Sequence, residues 1–431
     1  MRFTNEFDDF CKLLKRQEYY SHEQYIKYQQ DELKKLMEHC YVNVPYYRNL
    51  FNQLGIDYKS ISIDNLHTLP ILTKEQIKEK TEEFIAGNYD RKSLISFHTS
   101  GTTGSALKLY RSRESIQKEY AVVWARGRDL SLRNQPYLSF TGTNVVPLKQ
   151  KKPPFYRVNY TGNQILFSQY HMNDSNMTSY IDFINKFDYK YIQGYPSIIY
   201  VLANYIYENN IKLSKKPQAI YTSSESLLEK QRDLIEKVFE CKIVDYYGTI
   251  ELTSILTQCE EGNYHINYEC GITEFLPMEK VGELTRCEIV STSFLNAAFP
   301  LVRYKVNDFV LLDNSVKVCK CGRIGPVVKV IEGRINNGII ITPEGNKIGR
   351  LGAIFRYMVN IKESQIIQED LYNITIKVVK GSNYSREDEK LLTEAFYERV
   401  PRSINMKIEY VDYIERTKSG KFIAQISKVK V

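Results

Sequence analysis

Apolar residues recur at spacings of three and four from His22 to Cys40 on a polar background, predicting an amphipathic helix that the segment 42–47 (VNVPYY) breaks. Leu69-Pro70 marks a turn, and Thr73 with Gln76 three residues on has the spacing of a capping box. The first ~80 residues therefore read as helical. From Leu94 the period changes. Short apolar runs at 94–98, 189–194, 218–223, 241–248 and 283–291 predict strands, and helical patterns fill the gaps between 189 and 248 and the stretch 112–130. Alternation of this kind predicts an α/β core with a substantial parallel sheet. After Glu332-Gly333-Arg334 strands at 338–341, 365–370 and 373–379 surround a helix at 387–400, closed by Pro401. That is a small α+β unit, so the chain divides into an N-terminal domain of residues 1–334 and a C-terminal domain of 335–431.

Composition narrows the class. The 431 residues are 43% hydrophobic and 26% charged, enough for packed cores and unlike a disordered chain. Lysine and arginine number 59 against 51 acids, a net charge of +8 spread without the dense basic stripe of a nucleic-acid binder. Eight cysteines are too few to staple a secreted scaffold of this length. Glu6, Asp8 and Asp9 stand where a signal peptide needs a basic start and an apolar run. The most apolar helical stretch, 198–207, is far shorter than the roughly 20 residues of a membrane span and contains Asn204. These features predict a cytoplasmic protein without membrane insertion or nucleic-acid partner, its thiols free or metal-bound.

The sharpest local signal is Thr99-Ser100-Gly101-Thr102-Thr103-Gly104-Ser105, directly after the strand at 94–98. Two glycines allow a tight turn and close backbone approach, and hydroxyls with backbone N–H groups can converge on a polyphosphate. A plain Gly/Ser/Thr surface loop is the competing reading. No Gly-Lys-[Ser/Thr] ends the segment, so it is not a Walker loop.

Other segments change that balance. TSGTTG at 99–104 resembles the phosphate loop of the adenylate-forming superfamily, which includes acyl-CoA ligases, peptide-synthetase adenylation domains and luciferases. Tyr246-Tyr247-Gly248-Thr249-Ile250-Glu251 resembles its YGxTE element, and Pro300-Leu301-Val302-Arg303-Tyr304 leading to Asp308 its PL[IV]RYxxxD segment. Gly333-Arg334 with Asn336-Asn337 resembles the hinge, and Ser419-Gly420-Lys421 the segment of the catalytic lysine. The N-terminal VNVPYYR and TLPILTKEQI are similar in style to the phenylacetate-CoA ligase and CapK-like branch.

The resemblance implies a large N-terminal α/β domain with mixed sheets and a small mobile C-terminal α+β domain. It implies ATP-dependent carboxylate adenylation, with Mg²⁺, followed by acyl transfer. Ser100 to Gly104 would cradle phosphates, Tyr246 to Thr249 with Ser224 and Glu225 would border the nucleotide, and Tyr247 would offer an aromatic face to adenine. Asp308 would bind the ribose hydroxyls, Arg334 the ribose or phosphate, and Glu251 the magnesium, which suits one or two carboxylates plus phosphate oxygens. Lys421 would stabilise charge at the α-phosphate. Tyr195, Pro196 and Ser223 fall where relatives wall the acyl pocket, with ordinary strand-end turns as the alternative. Trp124, the single tryptophan, reads as core.

Cys259 and His265, with Cys319-Lys320-Cys321 some fifty residues on, offer three sulfurs and an imidazole. That donor set suits a structural zinc, which some members of the branch carry at matching places; Cys270 is a reserve ligand. Cys11, Cys40, Cys241 and Cys287 read as buried small residues. The sequence departs from the family at Asn336-Asn337, amides where relatives carry acids, and after the hinge, where the glycine pattern of CoA ligases is missing. The acceptor is therefore open among CoA, a carrier-protein thiol and an amino sugar, the last because CapK-like proteins are associated with capsule or surface-polysaccharide synthesis; secondary-metabolite synthesis is a further setting. A homodimer is compatible with all of these. A catalytically silent binding homologue and a plain adenylyltransferase are the other readings.

Overall fold

The computed structural model describes residues 3–333, 340–381, 383–414 and 425–429, apart from 99–106, 226, 228, 349–350, 359 and 413. The chain packs into two compact units, one of the described residues of 1–99 with Leu107–Leu130 and Val244–Gly333, the other of Ser131–Ile243 with the described residues of 334–431.

In the first unit the predicted amphipathic helix is α2 (His22–Asn43), following α1 (Asn5–Gln17). Ser21 and Gln24 cap α2 reciprocally, so its first N–H groups are satisfied. Pro45, which has no N–H to lose, opens α3 (Pro45–Leu54). The Thr73–Gln76 box is also formed and starts α4 (Lys74–Glu79). Strands β1 (Ile95–His98) and β2 (Lys108–Arg111) form an antiparallel pair, and Ser112 caps α5 (Arg113–Gly127). Trp124 is in the core, 3% exposed.

The rest of this unit is antiparallel: β8 (Ile243–Gly248), β9 (Ile255–Gln258), β10 (Tyr264–Ile266), β11 (Gly271–Val281), β12 (Leu284–Ser293), β13 (Tyr304–Asp313) and β14 (Val327–Gly333) run in the order 11-12-13-14-10-9-8. The sequence pattern predicted a strand at 283–291 but not that the segment from 255 to 333 forms an antiparallel sheet. Strand alternation is the same whether partners run parallel or antiparallel, so the direction is decided by pairing.

The second unit holds the predicted parallel sheet. Strands β3 (Tyr137–Phe140), β5 (Gln164–Phe167), β6 (Tyr191–Gly194) and β7 (Ala219–Ser223) are parallel, in the order 7-6-3-5, and β4 (Tyr156–Asn159) closes the edge antiparallel to β5. Helices α6 (Asp174–Lys186), α7 (Pro196–Glu208) and α8 (Glu229–Phe239) supply the crossovers that parallel pairing demands. The C-terminal segment adds the short pair β15 (Ile340–Ile341) and β16 (Lys347–Ile348), then β17 (Ile361–Gln368), β18 (Asn373–Lys380), α9 (Arg386–Tyr397), β19 (Asn405–Tyr410) and β20 (Gln425–Ser427). The last four strands form one sheet, ordered 19-18-17-20. Its core of Ile366, Ile376, Leu392 and Phe396 also takes in Tyr170, and Asn144 Nδ2 donates to the Glu398 carbonyl at 2.9 Å. No helix among the described residues is long and apolar enough to cross a membrane.

Candidate active site

In the first unit, β8 delivers Tyr246, Tyr247 and Gly248 to a tight turn that carries Thr249, Ile250 and Glu251. Leu252 N donates to Thr249 O, and Thr253 N to Thr249 Oγ1, closing the turn upon itself. Leu252 takes φ +56°, a conformation a branched residue keeps only when its surroundings enforce it. Glu251 is 5% exposed, and Tyr304 donates its phenol to Glu251 Oε1 at 3.1 Å. Four residues along β13 from Tyr304, Asp308 accepts from the Tyr247 hydroxyl through Oδ2 at 2.7 Å. The two predicted motifs, 57 residues apart from Tyr247 to Tyr304, thus meet through two phenol–carboxylate hydrogen bonds.

Arg303 holds the start of β13 in place. It forms a fork to Glu274 at 2.8 and 3.0 Å, donates to the His67 carbonyl at 2.7 Å and also to that of Leu69. Its backbone sits at φ +50°, and Leu72 pairs on both sides of it through Leu72 N to Arg303 O and Lys305 N to Leu72 O, each 2.9 Å. This explains an arginine in the motif whose job is architecture: it lies against protein carbonyls and Glu274.

In the second unit the parallel strands β3, β5, β6 and β7 end at Phe140, Phe167, Gly194 and Ser223, the edge at which open α/β sheets bind ligands. Gly194 must be glycine, because a Cβ there would stand 2.4 Å from the Phe140 carbonyl oxygen. That oxygen instead accepts from Tyr195 N at 2.9 Å, and Pro196 begins α7. Tyr195 lies beside Gly142, whose added Cβ would come within 3.2 Å of the ring. Ser224 takes φ +70°, with its hydroxyl 3.4 Å from that of Ser223. Tyr195, Pro196, Ser223, Ser224 and Glu225 therefore all sit at or just past strand ends. Ser100, Gly101, Thr102, Thr103, Gly104, Arg334, Asn336 and Lys421 lie outside the described residues.

The first unit also gathers Cys259, His265, Cys319 and Cys321, whose ligand atoms lie within 4.8 Å of one another. Two similar turns present the thiols. Gly262 N donates to Cys259 O, and Gly322 N to Cys319 O, both at 2.9 Å, with the glycines at φ +77° and +89°. Cys321 Sγ is 3.4 Å from His265 Nε2, near the edge of about 3.5 Å expected for a tetrahedron of 2.3 Å sulfur and 2.0–2.1 Å nitrogen ligands. Burial lowers the His265 pKa to about 4, so the imidazole is neutral, as a ligand must be. Burial pushes the Cys321 thiol up to about 12 and raises that of Cys259. Burial opposes the Cys319 thiolate too, yet the Cys321 backbone N–H, the Asn263 amide and neighbouring S–H groups outweigh it and lower that pKa. Three close thiols with one favoured thiolate fit a site where a bound cation would ionise the other two. Cys270 is fully buried and stands outside this group. Cys11, Cys40 and Cys287 are buried as the sequence suggested, whereas Cys241, expected to be buried, is only half-buried, packed against the edge of the second unit's core two residues past the end of α8.

Sequence reasoning passed over Arg111, Glu119, Glu274 and Ser293, which brace the turn around Glu251 or the start of β13. Each is an ordinary polar residue in its local pattern; Arg111 reaches Ile250 across 139 positions.

The described architecture is that of the adenylate-forming ligases. A solved 2-hydroxyisobutyryl-CoA ligase in complex with 2-HIB-AMP and CoA superposes with a TM-score of 0.60 at 17% identity, covering 96% of this chain and 92% of that one. In sequence, the chain is a homologue of Protein CapK from Staphylococcus aureus, 29% identical over 95% of this chain and 94% of its relative. Residues 340–428 match the CapK C-terminal domain family. The phenylacetate-coenzyme A ligase of Thermus thermophilus is 24% identical over 73% of this chain and 71% of that protein.

Proposed function

We propose that the protein is an AMP-forming ligase: it joins a small carboxylic acid to the α-phosphate of ATP, releases pyrophosphate, and passes the acyl group to a thiol or amine with release of AMP. The observation that carries this reading is the pairing of Tyr247 with Asp308 and of Tyr304 with Glu251 in one antiparallel framework. Asp308 is acceptor-only and suits two vicinal ribose hydroxyls. Glu251 is directed through one oxygen by Tyr304, and its carboxylate would hold Mg²⁺, which supplies neutralisation of phosphate charge. Between them the two carboxylates orient a nucleotide, and orientation with fixed electrostatics is most of what acyl-phosphate chemistry asks of a protein. Ser100 to Gly104 would take the phosphates, Arg334 and Lys421 the ribose and the α-phosphate, and the strand ends at Tyr195 and Ser223 the acid.

The relative named as a CoA ligase supports a thiol acceptor, CoA foremost, and the resemblance of the sequence to CapK-like proteins is the ground for a role in surface-polysaccharide or secondary-metabolite synthesis. The Cys/His group would hold a structural Zn²⁺, since the donor set and the edge from Cys321 Sγ to His265 Nε2 fit one. The C-terminal domain, residues 335–431, would pivot near Asn336 between adenylation and transfer; the contacts of Asn144 and Tyr170 with that segment are ones such a pivot would exchange.

Pyrophosphate–ATP exchange dependent on an added carboxylic acid, with hydroxylamine trapping across aromatic, aliphatic and amino acids, tests the activity directly. Absence of exchange with every acid tried would favour a silent homologue, and AMP found attached to product would favour an adenylyltransferase. Asp308→Asn should weaken ATP binding roughly tenfold to a hundredfold, because the amide replaces an ionic acceptor with a partial donor. Calorimetric titration of ATP checks this, and an unchanged dissociation constant would remove Asp308 from the nucleotide site.

A further inference from the structure

Arg111 ends β2, the strand that follows residues 99–106, and is 4% exposed. Its guanidinium makes three contacts at once. Nη1 meets Glu119 Oε2 on α5 at 2.9 Å; Nε donates to the Ile250 carbonyl at 2.9 Å, with Nη2 on the same oxygen; and the group lies 4.5 Å from the Phe97 ring centre. On the other side of Glu251, Ser293 Oγ donates to the Leu252 carbonyl at 2.6 Å. Both carbonyls flanking Glu251 are thus pinned by side chains from distant strands, while Tyr304 directs the carboxylate itself.

A buried ion pair adds little stability over apolar residues of like volume, so packing alone is a weak reason to keep Arg111 and Glu119 inside. A rigid fork on one carbonyl, by contrast, sets a direction. We propose that Arg111, oriented by Glu119, is a positioning residue for Glu251: by fixing the Ile250 carbonyl it aims the Glu251 carboxylate at the cation on the nucleotide phosphates. The proposal rests on the ATP–Mg²⁺ reading given above.

The test is ATP binding to the full chain by calorimetry, in EDTA and across a Mg²⁺ series. Arg111→Gln should raise the Mg²⁺ concentration for half-maximal binding roughly tenfold, as outer partners of metal ligands do, and leave ATP affinity in EDTA within about twofold. Arg111→Lys should fall between, since an ammonium cannot hold both acceptors in a planar fork. Glu119→Gln, whose amide oxygen still accepts, should remain near wild type. If Arg111→Gln does not fold, Arg111→Lys carries the same comparison. A folded Arg111→Gln or Arg111→Lys with an unchanged Mg²⁺ requirement, or with equal loss in EDTA and Mg²⁺, overturns the positioning role. Wild-type protein with no Mg²⁺-dependent ATP binding would instead sink the nucleotide reading on which it stands, and the two failures are thereby told apart.

Discussion

Glu251→Gln is expected to lower acyl-adenylate formation by roughly two to three orders of magnitude, about 2.7–4 kcal/mol, the usual cost of removing one preorganised electrostatic group from a reacting centre. The substitution is nearly isosteric. Its amide oxygen can still accept from the Tyr304 hydroxyl, and the turn remains closed by Thr249, Ser293 and Arg111. Folding should therefore survive while the negative charge that would bind Mg²⁺ is lost. Hydroxamate yield and pyrophosphate exchange report the loss, and excess Mg²⁺ should restore part of it. A folded variant with near-normal exchange would assign the cation to another carboxylate.

Cys319→Ser and Cys321→Ser should each release about one zinc per chain and lower the melting temperature on the order of 10 °C. The argument is topological. The two cysteine-bearing turns come from segments more than fifty residues apart, and a tetrahedral ion would join them to each other and to β10 through His265. Arg323, which follows Cys321 and Gly322 in the chain, donates to Glu18 Oε1 at 2.6 Å, and Gly322 lies against the Tyr19 ring. Loosening this turn should therefore also loosen the end of α1. Cys241→Ser, half-buried and outside the group, should keep both zinc and stability. Metal analysis with thermal melts decides it: zinc-free wild-type protein of full stability would make the four side chains a buried polar cluster and nothing more.

Several of these features were legible in the chain before any fold was known, and the reasons are local. Ser21 with Gln24 and Thr73 with Gln76 each satisfy helix N–H groups within one turn, so four residues suffice to place a helix start. The strands ending at Gly194 and Ser223 announced themselves as short apolar runs bounded by turn residues. The motif around Tyr247 and Glu251 and the one ending in Asp308 could be read as two segments of one site by resemblance alone.

Only the tertiary structure decided how those segments act on each other. Nothing in the local pattern around Tyr304 says that its hydroxyl meets Glu251, because a phenol on a buried strand is equally at home in any core. Glycine 194 reads as a turn residue in sequence, yet what demands it is a carbonyl from β3, a strand more than fifty positions earlier. Cysteine spacing proposed four donors; bringing their atoms within 4.8 Å required β9 and β10 to pair and β14 to pair with β10. Arg111 is the clearest case, since its partners Ile250 and Glu119 lie 139 and 8 residues away and no periodicity links them. Helix caps, turns and strand periods are short-range physics and are written in neighbouring residues, so the sequence determined them by itself. Hydrogen bonds between strands, buried ion pairs and ligand clusters depend on which distant segments are brought together, and that is settled only when the whole core closes.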